Sequence, residues 1–240
     1  MGRVRVPHGA LTESVAADAH RPTRNLQLVI FDCDGVLVDS ESISNDVLAQ
    51  KLTAEGLPTT LAQARRDYQG LLLSEVLTRA QERLGRQLAA GWIEAYERER
   101  AAVFRRELQP VPGAAETVRR IFAAGVPVCV ASQGKLEKTR LSLALTGLDA
   151  LFPADALFSA HTVPRGKPHP DLFLHAAQSM GATPTGCVVI EDTPSGVSAA
   201  VAAQMRVLGY AADSDEHALR QAGAEILHSL YDAPQLLGLD

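Results

Sequence analysis

Asp32 and Asp34 stand two residues apart at the end of the apolar run Leu26–Phe31, and Gly35 follows them directly. Side chains alternate along a strand, so the two carboxylates set out in one direction and Cys33 in the other. Like charges that close do not both ionise freely. A bound cation, or a proton on one carboxyl, must separate their roles. Three later stretches carry groups of matching chemistry. Ser132 follows Val128–Ala131, Lys167 lies in the turn Gly166-Lys167-Pro168-His169-Pro170, and Glu191-Asp192 follow Val188–Ile190. Carboxylates gathered at that density repel one another unless a hard cation joins them. Oxygen donors with few protein ligands predict Mg²⁺ that keeps some of its waters. Beside such an ion, Lys167 suits a clamp on an anionic substrate such as phosphate. Ser132, with Gln133 and the backbone N–H groups at the start of the next helix, would bind the same oxygens.

Each fragment also fits an ordinary structural role when taken alone. Asp-x-Asp-Gly can be a turn that caps a strand, and a lysine in a Gly-Lys-Pro turn can be a solvated loop residue. Glu191-Asp192 before Thr193-Pro194 can cap a helix. Their order points to chemistry: every one falls at, or in the loop after, the end of an apolar strand-like run.

The elements that must position these groups follow from periodicity. Buried strands are expected at Leu26–Phe31, Val126–Ala131, Asp155–Ser159, Cys187–Ile190, Arg206–Leu208 and Glu225–Leu227. Helices are expected between them, at Pro112–Ala124, Leu136–Leu145, Pro170–Met180, Pro194–Gln204 and Asp215–Ala222. This alternation predicts an α/β fold, a Rossmann-like parallel sheet covered on both faces, whose ligands sit at the carboxyl ends of the strands. Between Ser40 and Gln109 the pattern is helical only, at Glu41–Glu55, Leu61–Gln69, Ser74–Leu84 and Leu88–Leu108. Residues 41–109 are therefore expected to form an inserted all-helical cap domain. Residues 26–40 and 110–240 would form the core domain, and residues 1–25 a disordered tail. Trp92, at helical spacing with Leu88 and Tyr96, belongs in the cap's apolar core.

Composition narrows the function. The 240 residues are 46% hydrophobic, enough for a substantial core. A net charge of -5 with no basic cluster argues against nucleic acid as a partner. No apolar run approaches the ~20 residues that span a bilayer, and no secretory leader is evident. A cytoplasmic protein, monomeric or weakly dimeric, acting on a small phosphorylated metabolite, is expected. Cys33, Cys129 and Cys187 lack metal-binding spacing and are expected as buried, reduced thiols.

The segments Asp32-x-Asp34-Gly35-Val36-x-x-Asp39-Ser40, Ser132, Gly166-Lys167-Pro168-x-Pro170-Asp171-x-Phe173 and Glu191-Asp192-x-x-x-Gly196 resemble the haloacid dehalogenase superfamily. The nearer likeness is to its branch of phosphatases and β-phosphoglucomutase-like enzymes with a helical cap. Leu157-Phe158-Ser159 before the Lys167 motif is similar to bacterial sugar-phosphate phosphatases of the 6-phosphogluconate phosphatase type. The resemblance implies a Mg²⁺-dependent phosphoric monoester hydrolase working through an aspartyl-phosphate. In it Asp32 would be the nucleophile and a metal ligand, and Asp34 the general acid/base, its backbone carbonyl also on the metal. Ser132 and Lys167 would hold phosphate. Asp192 would be the carboxylate ligand, with Glu191 as a neighbouring candidate. Lys167, offsetting charge on Asp32, counts among the catalytic residues.

Other members of the same acid-rich class fit less well. A dehalogenase needs no metal and has no use for Asp34 and Glu191-Asp192. A receiver domain is about half this length. A phosphosugar mutase remains the alternative. It would need cations in the cap for a second phosphate, yet the loop Tyr68-Gln69-Gly70-Leu71-Leu72-Leu73-Ser74 is apolar, with Gln69 and Leu73 where charges would stand. Ser44 falls where those mutases carry a histidine. Arg65 and Arg66 are close enough in sequence to swing in. Gln69 and Gly70 are thus expected to cover a monophosphate's carbon skeleton.

Overall fold

The computed structural model describes residues 26–69 and 71–239. The expectations for residues 1–25 and for Gly70 lie outside them.

Six strands form one sheet: β1 (Leu28–Phe31), β2 (Val128–Ser132), β3 (Leu157–Ser159), β4 (Cys187–Glu191), β5 (Arg206–Tyr210) and β6 (Glu225–Leu227). Every pairing is parallel, in the order β3-β2-β1-β4-β5-β6. β1 lies between β2 and β4, where the order reverses, so its carboxyl end opens onto the crevice typical of such sheets. The sheet is apolar on both faces because helices cover both. Val29 and Phe31 join one core with α5 (Ala114–Ala123) and α10 (Ala233–Leu237). Leu28 and Ile30 join the other with α7 (Asp171–Ser179), α8 (Pro194–Ala202) and α9 (Glu216–Ala222). α6 (Leu136–Leu145) follows β2.

Between β1 and β2 the chain makes the helical insertion: α1 (Glu41–Ala54), α2 (Leu61–Tyr68), α3 (Leu73–Leu84) and α4 (Trp92–Glu107). These four pack around their own core of Leu48, Leu52, Tyr68, Val76, Trp92 and Tyr96. Leaving and returning strands of chain run side by side, with the Asp39 N–H on the Gln109 carbonyl at 2.9 Å and the Val111 N–H on Leu37 at 3.0 Å. α4 ties the two parts together: Trp92 and Tyr96 belong to the insertion's core, Phe104 to the sheet's.

Two expectations on helices need correction. α4 starts at Trp92 rather than Leu88, because the chain turns at Ala90 and Gly91, with Gly91 left-handed at φ 82° and the Trp92 N–H on the Ala89 carbonyl. The short α10 was not foreseen, since five residues carry too little periodicity. The three cysteines are free and buried. No helix among the described residues is long and apolar enough to cross a membrane.

Candidate active site

The carboxyl end of β1 decides the site. The Asp32 N–H makes a last sheet bond to the Ile190 carbonyl at 2.9 Å, and the chain then coils tightly, with Leu37 and Val38 both donating to the Cys33 carbonyl. Gly35 sits in that coil at φ +80°, a conformation that favours glycine. A Cβ there would also overlap the Asp192 carboxylate at the end of β4, so the missing side chain lets Asp192 close on the β1 loop.

Lys167 arrives from the loop before α7. Its buried Nζ donates to Asp32 Oδ1 at 2.5 Å and to Glu191 Oε1 at 2.6 Å. Gln133 holds this loop: its Oε1 accepts the Lys167 N–H at 3.0 Å and its Nε2 donates to the Lys167 carbonyl at 3.5 Å. Expected as a substrate ligand, Gln133 does border the cavity, but its amide is engaged with backbone. Glu191 is engaged likewise, for its Oε2 accepts both the N–H and the hydroxyl of Thr193 at 2.8 and 2.9 Å. Asp192 is different. It is buried, and its Oδ1 has no hydrogen-bond partner. Ser132 is fully buried, and its Oγ accepts the Gly134 N–H at 3.1 Å, a bond that does not use the hydroxyl proton.

Asp34 meets a group that sequence reasoning missed. Its Oδ1 accepts from the Ser40 hydroxyl and from Lys138 Nζ. Lys138 projects from the first turn of α6. The clue was available, since a lysine in a helix's first turn opposes the macrodipole and calls for a local reason.

Electrostatics follow from burial. Burial pushes the Asp32 carboxyl up to about 6, against the pull of Lys167. Burial, with Glu191 and Asp32 as like charges, pushes Asp192 well above the usual carboxylate range. Burial draws Lys138 down. It opposes the charge on Lys167 too, but Asp32 and Glu191 outweigh it and raise that ammonium. Lys138 pairs with Asp34 and Lys167 with Asp32 and Glu191, while the neighbouring Asp192 and Glu41 have no ion-pair partner among the described residues. Among the described residues no three His, Cys, Asp or Glu side chains form a metal cage by themselves.

Over these groups lies a cavity of about 370 Å³ between the sheet's end and the insertion. Asp32, Asp34, Lys138 and Lys167 border it from below; Gln69, Leu71, Leu72, Leu73, Tyr96 and Arg100 border it from the insertion. Ser44 borders it as well. Arg65 and Arg66 are exposed and do not, and Arg66 pairs with Asp67.

A family model described as haloacid dehalogenase-like hydrolase matches residues 26–204. The chain is 32% identical over 189 residues to the 6-phosphogluconate phosphatase of Escherichia coli K12, covering 78% of this chain and 84% of that protein. It is 32% identical over 224 residues to hexitol phosphatase B of the same organism, covering 90% and 98%. Among solved structures, a HAD family hydrolase of Deinococcus radiodurans with bound phosphate and sodium superposes with a TM-score of 0.74 at 32% identity, over 90% of this chain and 97% of that one.

Proposed function

This chain belongs to the haloacid dehalogenase-like hydrolases, and within that family we propose a Mg²⁺-dependent phosphatase for sugar or sugar-acid monophosphates, working through an aspartyl-phosphate on Asp32. One observation carries the reading: Asp32, held by Lys167 at 2.5 Å, borders a cavity sized for a small metabolite, beside a buried Asp192 whose Oδ1 has no partner.

The chain's own groups divide the work. Asp32 attacks phosphorus; an Oδ–P bond forms as the bond to the leaving alkoxide breaks. Lys167 neutralises charge on Asp32 and on the incoming phosphate. Ser132, fully buried and not bordering the cavity, holds the N–H of Gly134, which does border it. The leaving alkoxide needs a proton, and Asp34 is placed to deliver it. That proton is shared within a pair, since Lys138 Nζ touches Asp34 Oδ1. Asp34 then takes a proton from the water that cleaves the aspartyl-phosphate, which restores Asp32 and releases inorganic phosphate. Leu71, Leu72 and Leu73 keep bulk water away from the intermediate.

Asp32, Asp192 and the Asp34 backbone carbonyl would hold Mg²⁺, which when bound offsets the repulsion between a carboxylate nucleophile and a dianionic phosphate. We assign the metal carboxylate to Asp192, whose Oδ1 is unpartnered, rather than to Glu191, whose two oxygens serve Lys167 and Thr193.

The test is phosphate release from a panel of phosphorylated metabolites with Mg²⁺. It includes β-glucose 1-phosphate with a trace of glucose 1,6-bisphosphate, following glucose 6-phosphate separately. Hydrolysis without isomerisation is expected. Fast isomerisation with little phosphate released would identify a phosphosugar mutase instead.

A further inference from the structure

Arg100 differs from the other cations that border the cavity. Among the described residues, Lys135 is held by Glu97 at 2.9 Å, Lys138 by Asp34, and Lys167 by Asp32 and Glu191. Arg100 forms no ion pair within 4 Å among the described residues, although its charge acts on the buried Glu41 carboxyl, which borders the same cavity. Aromatic rings hold it instead: its Cζ lies 5.0 Å from the centre of the Tyr96 ring and 5.7 Å from that of Phe104. Both rings are buried, and the Tyr96 hydroxyl is anchored on the Ser44 carbonyl at 3.1 Å. Burial raises the Tyr96 phenol, and the Arg100 guanidinium beside it pulls back. Ring faces fix a guanidinium through its flat side and leave most of its edge N–H donors unused. A rigid fork at a cavity wall matches a planar, two-oxygen acceptor.

Position sets which part of a substrate meets that fork. Lys138 Nζ lies 5.6 Å from the centre of the same Phe104 ring and touches Asp34. Arg100 therefore stands one aromatic ring beyond the acid/base group, on the insertion's side of the cavity. A monophosphate seated at Asp32 would run its carbon chain past Asp34 toward Arg100. Glu41 already draws on the Arg100 charge, so this guanidinium balances no more than one added negative charge. A second phosphate dianion would need a further cation, and the three lysines are already taken.

We propose that Arg100 receives a carboxylate at the far end of the substrate, so that the site selects phosphorylated sugar acids over polyol phosphates of equal length. This rests on the phosphatase reading above and names its substrate class.

6-Phosphogluconate and glucitol 6-phosphate make the discriminating pair, since they differ in a carboxylate against a hydroxymethyl group. The kcat/KM ratio of acid to polyol is measured for the native protein, Arg100→Gln and Arg100→Lys. Native protein is expected to favour the acid, and Arg100→Gln to cut the ratio by about 10- to 100-fold. Arg100→Lys should fall between, because an ammonium keeps the charge and loses the fork. An unchanged ratio, or a native preference for the polyol, overturns the proposal. So does a greater loss with glucose 1,6-bisphosphate than with the acid, which would make the second group a phosphate. Hydrolysis of other phosphorylated metabolites but of neither compound overturns the proposal and leaves the phosphatase reading standing; should the native protein hydrolyse no phosphorylated metabolite, the phosphatase reading has failed, and calorimetric binding of the same pair to Asp32→Asn decides separately. Tighter binding of the acid that disappears with Arg100→Gln supports the carboxylate site; equal binding of the two overturns it.

Discussion

Lys167 Nζ donates to Glu191 Oε1 at 2.6 Å in a place where neither side chain reaches solvent, with exposures of 4% and 1%. Glu191 also takes the N–H of Thr193, the residue that caps α8. Glu191→Ala leaves a buried ammonium half-compensated and an N–H unpaired. Stability is expected to fall by about 3–5 kcal/mol, the range for breaking a buried pair on one side. Urea unfolding measures it, and a change below about 0.5 kcal/mol, ordinary for an inert surface site, would remove Glu191 from this role. Glu191→Gln, which keeps shape and one acceptor, should cost less.

Asp32→Asn keeps the side chain's outline and removes the nucleophile. Turnover should vanish while the melting curve stays cooperative, because the β1 core beneath residue 32 is untouched. Phosphate release and thermal melting are read on the same preparation. More than a few per cent of native activity would disprove the assignment.

Gly35→Ala combines two penalties: a left-handed φ of +80°, and a methyl group inside the space of the Asp192 carboxylate. Gly56→Ala is the control, because its φ is +90° and nothing lies within 4 Å of the added atom. Both should lose about 1–3 kcal/mol from backbone strain. Activity should collapse only for Gly35→Ala, since displacing Asp192 disturbs the site. Equal activities would show that the Gly35–Asp192 approach is not needed.

The buried, unpartnered Asp192 carboxyl beside Asp32 predicts a metal requirement. Chelation should abolish activity and Mg²⁺ restore it. Mg²⁺ should also raise the native melting temperature by binding only the folded state. Asp192→Ala should shift both responses to much higher Mg²⁺ concentration. Full activity after chelation, or an unaltered Mg²⁺ response in Asp192→Ala, contradicts the ligand set.

Much of this site is legible in the chain because its parts are local. A short apolar run bounded by Asp, Lys or Ser marks both a buried strand and the residue at its carboxyl end, so Asp32, Ser132 and Asp192 could be placed without knowing the sheet order. Helical spacing between residues 41 and 107 likewise revealed the insertion, and Trp92 as part of its core. Tertiary structure alone decided how the charges are shared. Glu191 and Asp192 are neighbours with the same chemistry, yet one turns to Lys167 and the other toward Gly35, because successive side chains at a strand's end face opposite ways. Lys138 reaches Asp34 across 104 residues. Arg100 enters the cavity only because α4 leans from the insertion onto the sheet's core through Phe104. No periodicity in the chain encodes such meetings; they arise when the reversal of strand order at β1 and the return of the chain at residues 109–111 bring distant segments over one strand's end.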